Sequence, residues 1–248
     1  MNLSVFLPRR VATGIVQKRM ALFERKSDAD NVTGDAATRA LSVAAVDNHF
    51  VDNVYDKLAK VYDLFFGPTL HPGRLQAIER MNIQAGERVL EVGVGTGINL
   101  SLYPREASVT GIDFSSSMLE KARERAARPD AAPVRLLQMD GAALRFADNS
   151  FDIVYAPYLI SVVPDPVRVA QEMHRVCRPG GRVIILNHFL SPNPILSRLE
   201  RLISPATIHI GFKSDLDLPA FLAQADLKPV SIEKVNWPKI WSLVTCVK

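Results

Sequence analysis

Cysteine and histidine are scarce in this chain: its 248 residues include two cysteines and five histidines. Cys177 and Cys246 lie far apart and show no metal-ligand spacing, so the sequence predicts neither a disulfide nor a zinc site. Such thiols are typical of reduced core residues in a cytosolic protein. We therefore expect no metal centre.

Long hydrophobic runs are also missing. No stretch approaches the roughly 20 apolar residues that span a bilayer, and no hydrophobic region with a small-residue cleavage site marks a secretory signal. The excess of basic over acidic residues lies in one N-terminal segment without interleaved aromatic platforms on which bases could stack, which argues against a nucleic-acid partner. These absences predict a cytoplasmic protein that is soluble or bound peripherally to a membrane.

Acidic residues are rare near the start of the chain. Residues 1–26 contain six basic residues and one acid, Glu24, and their apolar side chains recur at helical spacing. This pattern predicts a basic amphipathic helix that binds an anionic membrane surface. A packed or disordered arm, an organellar targeting helix and a non-native extension remain as alternatives.

The remaining sequence divides into a linker and one domain. Residues 27–46 show little hydrophobic periodicity, so the sequence predicts an N-terminal segment over 1–46 and a folded domain over 47–248. Apolar residues recur at helical intervals over 50–65. Pro68 and Pro72-Gly73 are predicted to interrupt that pattern before a short helix over 74–82.

From residue 88 onward, strand and helix patterns alternate. This alternation predicts an α/β fold with a mostly parallel sheet and helices on both faces. Two strand-like runs around Trp237-Pro238 add an antiparallel C-terminal hairpin, which brings the sheet to seven strands. The predicted strands are 88–92, 108–112, 134–139, 151–155, 182–188, 228–235 and 240–247, and the predicted helices are 97–103, 116–127, 166–177 and 217–225.

A glycine-rich turn follows the first strand, in the segment RVLEVGVGTG over 88–97. Glycines let the backbone approach a ligand closely. The spacing G-x-G-x-G differs from the dinucleotide pattern G-x-G-x-x-G. Glu91, two residues before the first glycine, would repel a phosphate but hold a cationic, amino-acid-like ligand.

Two further acids follow predicted strands. Asp113 ends the second strand, where a carboxylate accepts both hydroxyls of a ribose, and Asp140 closes the third. A single acid at such a place is often a helix cap or a solvated loop charge. Three acids at three successive strand ends instead indicate a nucleoside-type cofactor site.

These motifs resemble those of the S-adenosylmethionine-dependent methyltransferases, whose class I fold is Rossmann-like. The resemblance implies S-adenosylmethionine as cofactor, S-adenosylhomocysteine as product, and adenine recognition near Asp140. The implied cofactor-binding residues are Tyr55, Glu91, Gly93, Gly95, Thr96, Gly97, Asp113, Met118, Asp140, Gly141 and Ala156.

Four segments also resemble the bacterial phosphatidylethanolamine N-methyltransferases of the Rhodobacter type. They are YDKLAKVYDLFFG over 55–67 with Pro72-Gly73-Arg74, RVLEVGVGTGINLSLYP over 88–104, FDIVYAPYLISVVPDP over 151–166 and RVCRPGGRVIILNHF over 175–189. The resemblance implies stepwise methylation of phosphatidylethanolamine to phosphatidylcholine at the cytoplasmic membrane face. It implies a phospholipid substrate and no obligate protein partner. A quinone-precursor methyltransferase and a non-catalytic S-adenosylmethionine-binding protein are the alternatives.

The acceptor side of the site is less defined by the sequence. We predict Tyr158, Tyr62 and His188 as catalytic and substrate-binding residues, because Tyr158 and His188 follow strands and an aromatic face can hold an ammonium group. Tyrosines more often pack with satisfied hydroxyls, and His188 also fits an ordinary strand-end histidine. The predicted donors to a lipid phosphate are Arg198, Arg201, His209 and Lys213.

Overall fold

A computed structural model describes residues 69–191, 193–195, 197–198, 202 and 215–248. The helices named below are α1 over 69–81, α2 over Ser116–Ala126, α3 over Pro166–Val176 and α4 over Leu218–Gln224. Residues 194, 195, 197, 198 and 202 are helical as well. The strands are β1 Arg88–Val92, β2 Ser108–Asp113, β3 Val134–Gln138, β4 Phe151–Pro157, β5 Cys177–His188, β6 Pro229–Val235 and β7 Trp241–Val247. The predicted boundary between residues 46 and 47 lies outside the described residues.

The seven strands form one sheet in the order β3-β2-β1-β4-β5-β7-β6. The pairs from β3 to β5 are parallel, whereas β7 pairs antiparallel with both β5 and β6. The predicted mostly parallel sheet with a C-terminal antiparallel hairpin is confirmed. The carboxyl ends of the parallel strands share one edge of the sheet, where ligands bind in open α/β folds.

Polar side chains cap the first turns of α2 and α3. The Ser115 hydroxyl accepts the Met118 N–H at the start of α2, and Asp165 accepts the Arg168 N–H at the start of α3, with Pro166 in the first turn. Buried side chains of α3, among them Val169 and Met173, then pack on the sheet. Both helices begin near the edge of the sheet at which the parallel strands end.

Three local predictions are corrected. Pro72 and Gly73 lie inside α1, because the Gly73 N–H donates to Asn236 Oδ1 at 2.6 Å and so has a tertiary partner. The predicted helix over 97–103 is a 3-10 turn, Ile98–Ser101. Strand β5 begins at Cys177 rather than 182, since Gly180 and Gly181 exchange backbone hydrogen bonds with Lys248.

Both cysteines are buried in the sheet, Cys177 in β5 and Cys246 in β7. Burial raises the thiol pKa of Cys177 to about 11 and that of Cys246 to about 12.

Within the described ranges, no helix has the length and apolar character needed to cross a membrane.

Candidate active site

The glycine loop after β1 is held against the end of β2. Gly93, Gly95 and Gly97 all have positive φ, at 75°, 56° and 79°. Residues with a Cβ atom rarely adopt this backbone conformation. The N–H groups of Gly93 and Val94 both donate to the Ile112 carbonyl at 2.9 Å. A Cβ placed on Gly95 would meet nothing within 4 Å, so the loop presents bare backbone to open space.

A cavity of about 220 Å³ opens beside this loop, at the carboxyl ends of β1 to β4. Eight of the predicted site residues line it: Gly93, Gly95, Thr96, Asp113, Met118, Asp140, Gly141 and Tyr158. Glu91, Gly97 and Ala156 do not. The loop and two of the three predicted acids therefore converge on one cavity, as a nucleoside-type cofactor requires.

Asp113 ties the end of β2 to the glycine loop. Its Oδ2 accepts the Gly95 N–H at 2.8 Å, and its Oδ1 accepts the Ser115 N–H at 3.0 Å. Asp140 accepts the Ala142 N–H at 2.8 Å through Oδ1. These bonds orient both carboxylates at the cavity, where they are acceptors for hydroxyl or amino donors.

Glu91 lies behind the loop instead of in the cavity wall. The side chain is fully buried, Oε1 accepts the Asn99 amide at 2.6 Å, and Oε2 accepts the Tyr103 hydroxyl at 2.6 Å. Burial raises the pKa of Glu91 to about 7, although these two hydrogen bonds oppose the rise. The expected direct position beside a ligand amine is therefore corrected: the near neighbours of this carboxyl are two side chains.

Gly97 and Ala156 also have structural surroundings. A Cβ on Gly97 would lie 3.0 Å from the Ala122 Cα, so this glycine allows α2 to approach the loop. Ala156 is fully buried in β4, one residue before the cavity-lining Pro157. Neither residue offers a side chain to a ligand.

Arg74 is a cavity residue to which sequence reasoning gave no role. It projects from α1, is 8% exposed, and donates from Nη1 to Asn99 Oδ1 at 3.2 Å. Its guanidinium carbon lies 4.9 Å from the ring centroid of Tyr158, and its Nε has no hydrogen-bond partner among the described residues. A buried cation with an unused donor favours an anionic group in the cavity.

Tyr158 lines the cavity with its ring, while its hydroxyl has two other partners. The hydroxyl donates to the Leu70 carbonyl and accepts from Asn236 Nδ2, both at 2.9 Å. The ring packs edge-on against Trp241 with the centroids 5.0 Å apart. The hydroxyl therefore has structural partners, and the Arg74 guanidinium already lies beside the ring. The predicted role of Tyr158 toward the acceptor stays a prediction.

The remaining acceptor-side predictions are largely outside the cavity or undescribed. His188 is buried at the end of β5, with its ring 5.7 Å from that of Trp241, and does not line the cavity. It packs as a strand-end histidine. Arg198 is exposed. Tyr62, Arg201, His209 and Lys213 lie outside the described residues, as does Tyr55, which was predicted to bind the cofactor.

Apolar residues that the sequence analysis did not select complete the cavity wall. Phe114, directly after Asp113, is 41% exposed, and Val162, Val163 and Pro164 come from the loop between β4 and α3. The position of an aromatic residue directly after a strand-end acid is the sequence signal that could have identified Phe114.

Within the described part of the chain, no three His, Cys, Asp or Glu side chains form a group able to hold a metal.

Comparison with known proteins identifies the family. A family model described as a methyltransferase domain matches residues 90–185. The phosphatidylethanolamine N-methyltransferase of Cereibacter sphaeroides is 43% identical over 171 residues, which cover 68% of this chain and 84% of that protein. The chain belongs to the bacterial phosphatidylethanolamine N-methyltransferase family. Its enzyme class is that of the S-adenosylmethionine-dependent methyltransferases.

Other relatives and solved structures agree on the class and the fold. The demethylmenaquinone methyltransferase of Oceanobacillus iheyensis is 33% identical over 143 residues, or 56% of this chain and 60% of that protein. A Haemonchus contortus phospholethanolamine N-methyltransferase, solved with phosphomonomethylethanolamine and S-adenosylhomocysteine, has TM-score 0.63 and 20% identity, covering 80% of this chain and 59% of that one. A putative methyltransferase in a complex with the Haloferax volcanii Trm112 activator has TM-score 0.63 and 17% identity, covering 82% and 98%.

The cavity of this methyltransferase fits its cofactor, S-adenosylmethionine. The bare backbone at Gly95 leaves room for a ligand, the acids Asp113 and Asp140 provide hydrogen-bond acceptors, and the buried guanidinium of Arg74 provides a positive charge. A zwitterionic, nucleoside-containing molecule has the complementary groups.

Proposed function

We propose that this methyltransferase methylates the amine of phosphatidylethanolamine and of its mono- and dimethylated forms, giving phosphatidylcholine. The observation that carries the proposal is the 43% identity to the Cereibacter sphaeroides enzyme across 84% of that protein's length. The identity supports a shared acceptor because it extends well beyond the glycine loop, which by itself indicates only the superfamily.

The cofactor would be held by residues already placed around the cavity. We assign the ribose hydroxyls to Asp113, the adenine amino group to Asp140, and the methionyl part to the glycine loop. Arg74 then faces the methionyl carboxylate, which satisfies the buried guanidinium. When bound, S-adenosylmethionine supplies an electrophilic methyl group.

The protein contributes position and a dry environment. Transfer requires the acceptor nitrogen about 3 to 3.5 Å from the methyl carbon and in line with the breaking bond. Apolar side chains such as Phe114, Leu159 and Val162 exclude water from the cavity. The Tyr158 ring forms a fixed wall because its hydroxyl is tied to α1 and to the hairpin.

The acceptor amine must lose a proton before it attacks, since an ammonium group has no lone pair. The carboxylates that line the cavity among the described residues are Asp113, Asp140 and Asp165. Asp113 and Asp140 are assigned to the cofactor, and Asp165 accepts the Arg168 N–H at the start of α3. We therefore assign the proton to water or to a group outside the described residues.

A second candidate acceptor is a quinone precursor, which the 33% identity to the Oceanobacillus iheyensis enzyme favours. The decisive experiment incubates the purified enzyme with radiolabelled S-adenosylmethionine and phosphatidylethanolamine vesicles, demethylmenaquinone, or no acceptor. We expect label in mono-, di- and trimethylated phosphatidylethanolamine. Label only in menaquinone would establish the second acceptor, and cofactor binding without transfer to either would indicate a non-catalytic protein.

We further propose that the enzyme works at the cytoplasmic membrane face and that residues 1–26 bind anionic lipid. Their basic charge supports this, although they lie outside the described residues. Replacing Arg9, Arg10, Lys18 and Arg19 with glutamate in the full chain should reduce sedimentation with phosphatidylglycerol vesicles at low salt and leave S-adenosylhomocysteine affinity unchanged. Equal sedimentation would assign the segment to an arm or an extension.

A further inference from the structure

The turn between β6 and β7 exposes a large aromatic side chain. We call residues 237–240, Trp-Pro-Lys-Ile, the hairpin tip. Trp237 is 90% exposed, Ile240 is 39% exposed, and Pro238 and Lys239 are exposed as well. Trp241, the next residue, is instead packed against Tyr158. The two tryptophans of the chain thus have opposite environments.

The hairpin tip rests on a fixed support. The Lys239 N–H donates to the Asn236 carbonyl across the turn. Asn236 is buried, and its side chain bonds both the Tyr158 hydroxyl and the Gly73 N–H. The exposed side chains therefore project from a turn anchored to the cavity wall and to α1, so the backbone of the turn has little conformational freedom to lose on binding.

The register of the sheet places the hairpin tip at the cavity edge. Trp241, the first residue of β7, pairs with His188 at the end of β5 and with Val235 at the end of β6. The turn consequently lies at the carboxyl-end edge of the parallel strands. The bond from Asn236 to Tyr158, whose ring lines the cavity, connects the turn to the site directly.

The chemistry of the hairpin tip matches an anionic bilayer surface. Lys234 and Lys239 are exposed, and residues 234–240 contain no acid. Indole rings prefer the boundary between headgroups and acyl chains, and lysines there are attracted to anionic lipid. A bilayer satisfies the apolar ring and the cations together.

We propose that the hairpin tip inserts into the interface of an anionic phospholipid bilayer and brings the cavity edge of the sheet against it. This inference rests on the proposed function, because the phospholipid acceptor lies in that bilayer. The tip would be a membrane contact of the catalytic domain itself, separate from residues 1–26. It would shorten the path of a headgroup from the bilayer to the cavity.

The test compares four full-length proteins on vesicles of phosphatidylcholine with one quarter phosphatidylglycerol: the wild type, Trp237→Ala, Lys239→Glu and Val247→Ala. Val247 is the matched control, because it is 45% exposed and pairs with Arg182, away from the strand ends that border the cavity. We expect Trp237→Ala to lower vesicle affinity at least about tenfold, since roughly 100 Å² of apolar contact is lost. Lys239→Glu should lower vesicle affinity at low salt by about fivefold for each of the two units of charge that it changes. Val247→Ala should match the wild type.

Tryptophan fluorescence provides an independent readout. Vesicles should shift the wild-type emission to shorter wavelength, and this shift should be absent from Trp237→Ala, which keeps only Trp241. Wild-type vesicle affinity in Trp237→Ala, or a wild-type emission that vesicles leave unchanged, would overturn the proposal. The latter result would instead favour a protein partner for the tip.

Turnover on two physical forms of the substrate separates this inference from the proposed function. On short-chain phosphatidylethanolamine below its micellar concentration, Trp237→Ala should equal the wild type, whereas on vesicles it should be slower. Equal losses on both forms would mean that the tip serves the fold or the site, and would refute docking. If the wild type methylates neither form, the proposed function fails, while the vesicle affinities still decide the tip.

Discussion

Removing the charge of Glu91 should change how stability depends on pH. Burial raises the pKa of this carboxyl from an ordinary 4.5 to about 7 in the folded protein. Between these two values the folded chain keeps a proton that the unfolded chain releases. The contribution of Glu91 to the free energy of unfolding therefore falls as pH rises from about 4.5 to about 7, and it stays lower above that.

The size of the effect follows from the two pKa values. Their difference corresponds to about 3 kcal/mol of stability that the wild type loses over this range. Glu91→Gln has the same shape and no titration. Its amide oxygen can accept the Asn99 amide, and the Tyr103 hydroxyl can turn to accept from the new NH₂ group. The variant should lose about 3 kcal/mol less than the wild type between pH 4.5 and pH 8.

Urea unfolding followed by circular dichroism, at half-unit steps over that pH range, measures both profiles. The other titrating groups are common to the two proteins and cancel in the comparison. Glu79→Gln, an exposed position on α1, controls for loss of a carboxylate elsewhere on the surface. Parallel profiles for the wild type and Glu91→Gln would refute the reasoning, because they would mean that Glu91 gains or loses no proton on folding.

The other predictions concern cofactor affinity and the cavity wall. Asp113→Ala should weaken S-adenosylhomocysteine binding by about 1 to 3 kcal/mol in calorimetric titration while the circular dichroism spectrum persists; undiminished affinity would remove this carboxylate from the site. Tyr158→Phe should lower the free energy of unfolding by about 1 to 3 kcal/mol, because the buried Leu70 carbonyl and Asn236 amide lose a partner; a loss of turnover at unchanged stability would restore the chemical role that the sequence suggested. Gly97→Ala should destabilise the fold more than Gly95→Ala, since only the Cβ at 97 meets the Ala122 backbone, and Gly95→Ala should mainly weaken cofactor binding; thermal melts and titrations of both variants test the pair, and equal melting temperatures would contradict it.

The sheet was predictable because its physical signals are local. Strands buried on both faces read as short apolar runs, Asp113 marks the end of β2, and Pro166 marks the start of α3. The strand boundaries mostly agree with the structure within two residues. The main misses depend on distant partners: the Gly73 N–H is satisfied by Asn236 inside α1, and Lys248 extends β5 back to Cys177.

The same contrast between local signals and distant partners applies to the site. Asp113 and Asp140 reach the cavity because parallel strands end at a common edge, which the alternation of elements already implies. Glu91 lies only two residues before the loop, yet its side chain points to Asn99 and Tyr103. Arg74 lies at the cavity in contact with Asn99 and Tyr158, and no local sequence pattern predicts contacts between residues so far apart in the chain. Side-chain direction and long-range pairing set the limit of the sequence analysis.

The two buried cysteines allow the opening of the native sheet to be measured as a rate of thiol modification. Cys177 and Cys246 are the chain's two thiols, and each has a raised pKa, so a thiol reagent at pH 8 meets almost no accessible thiolate in the folded sheet. Modification must wait for the strands to separate. The labelling rate of the wild type therefore measures how often β5 and β7 separate, and no probe residue has to be introduced. If S-adenosylhomocysteine slows the labelling, its binding makes opening of this half of the sheet less frequent.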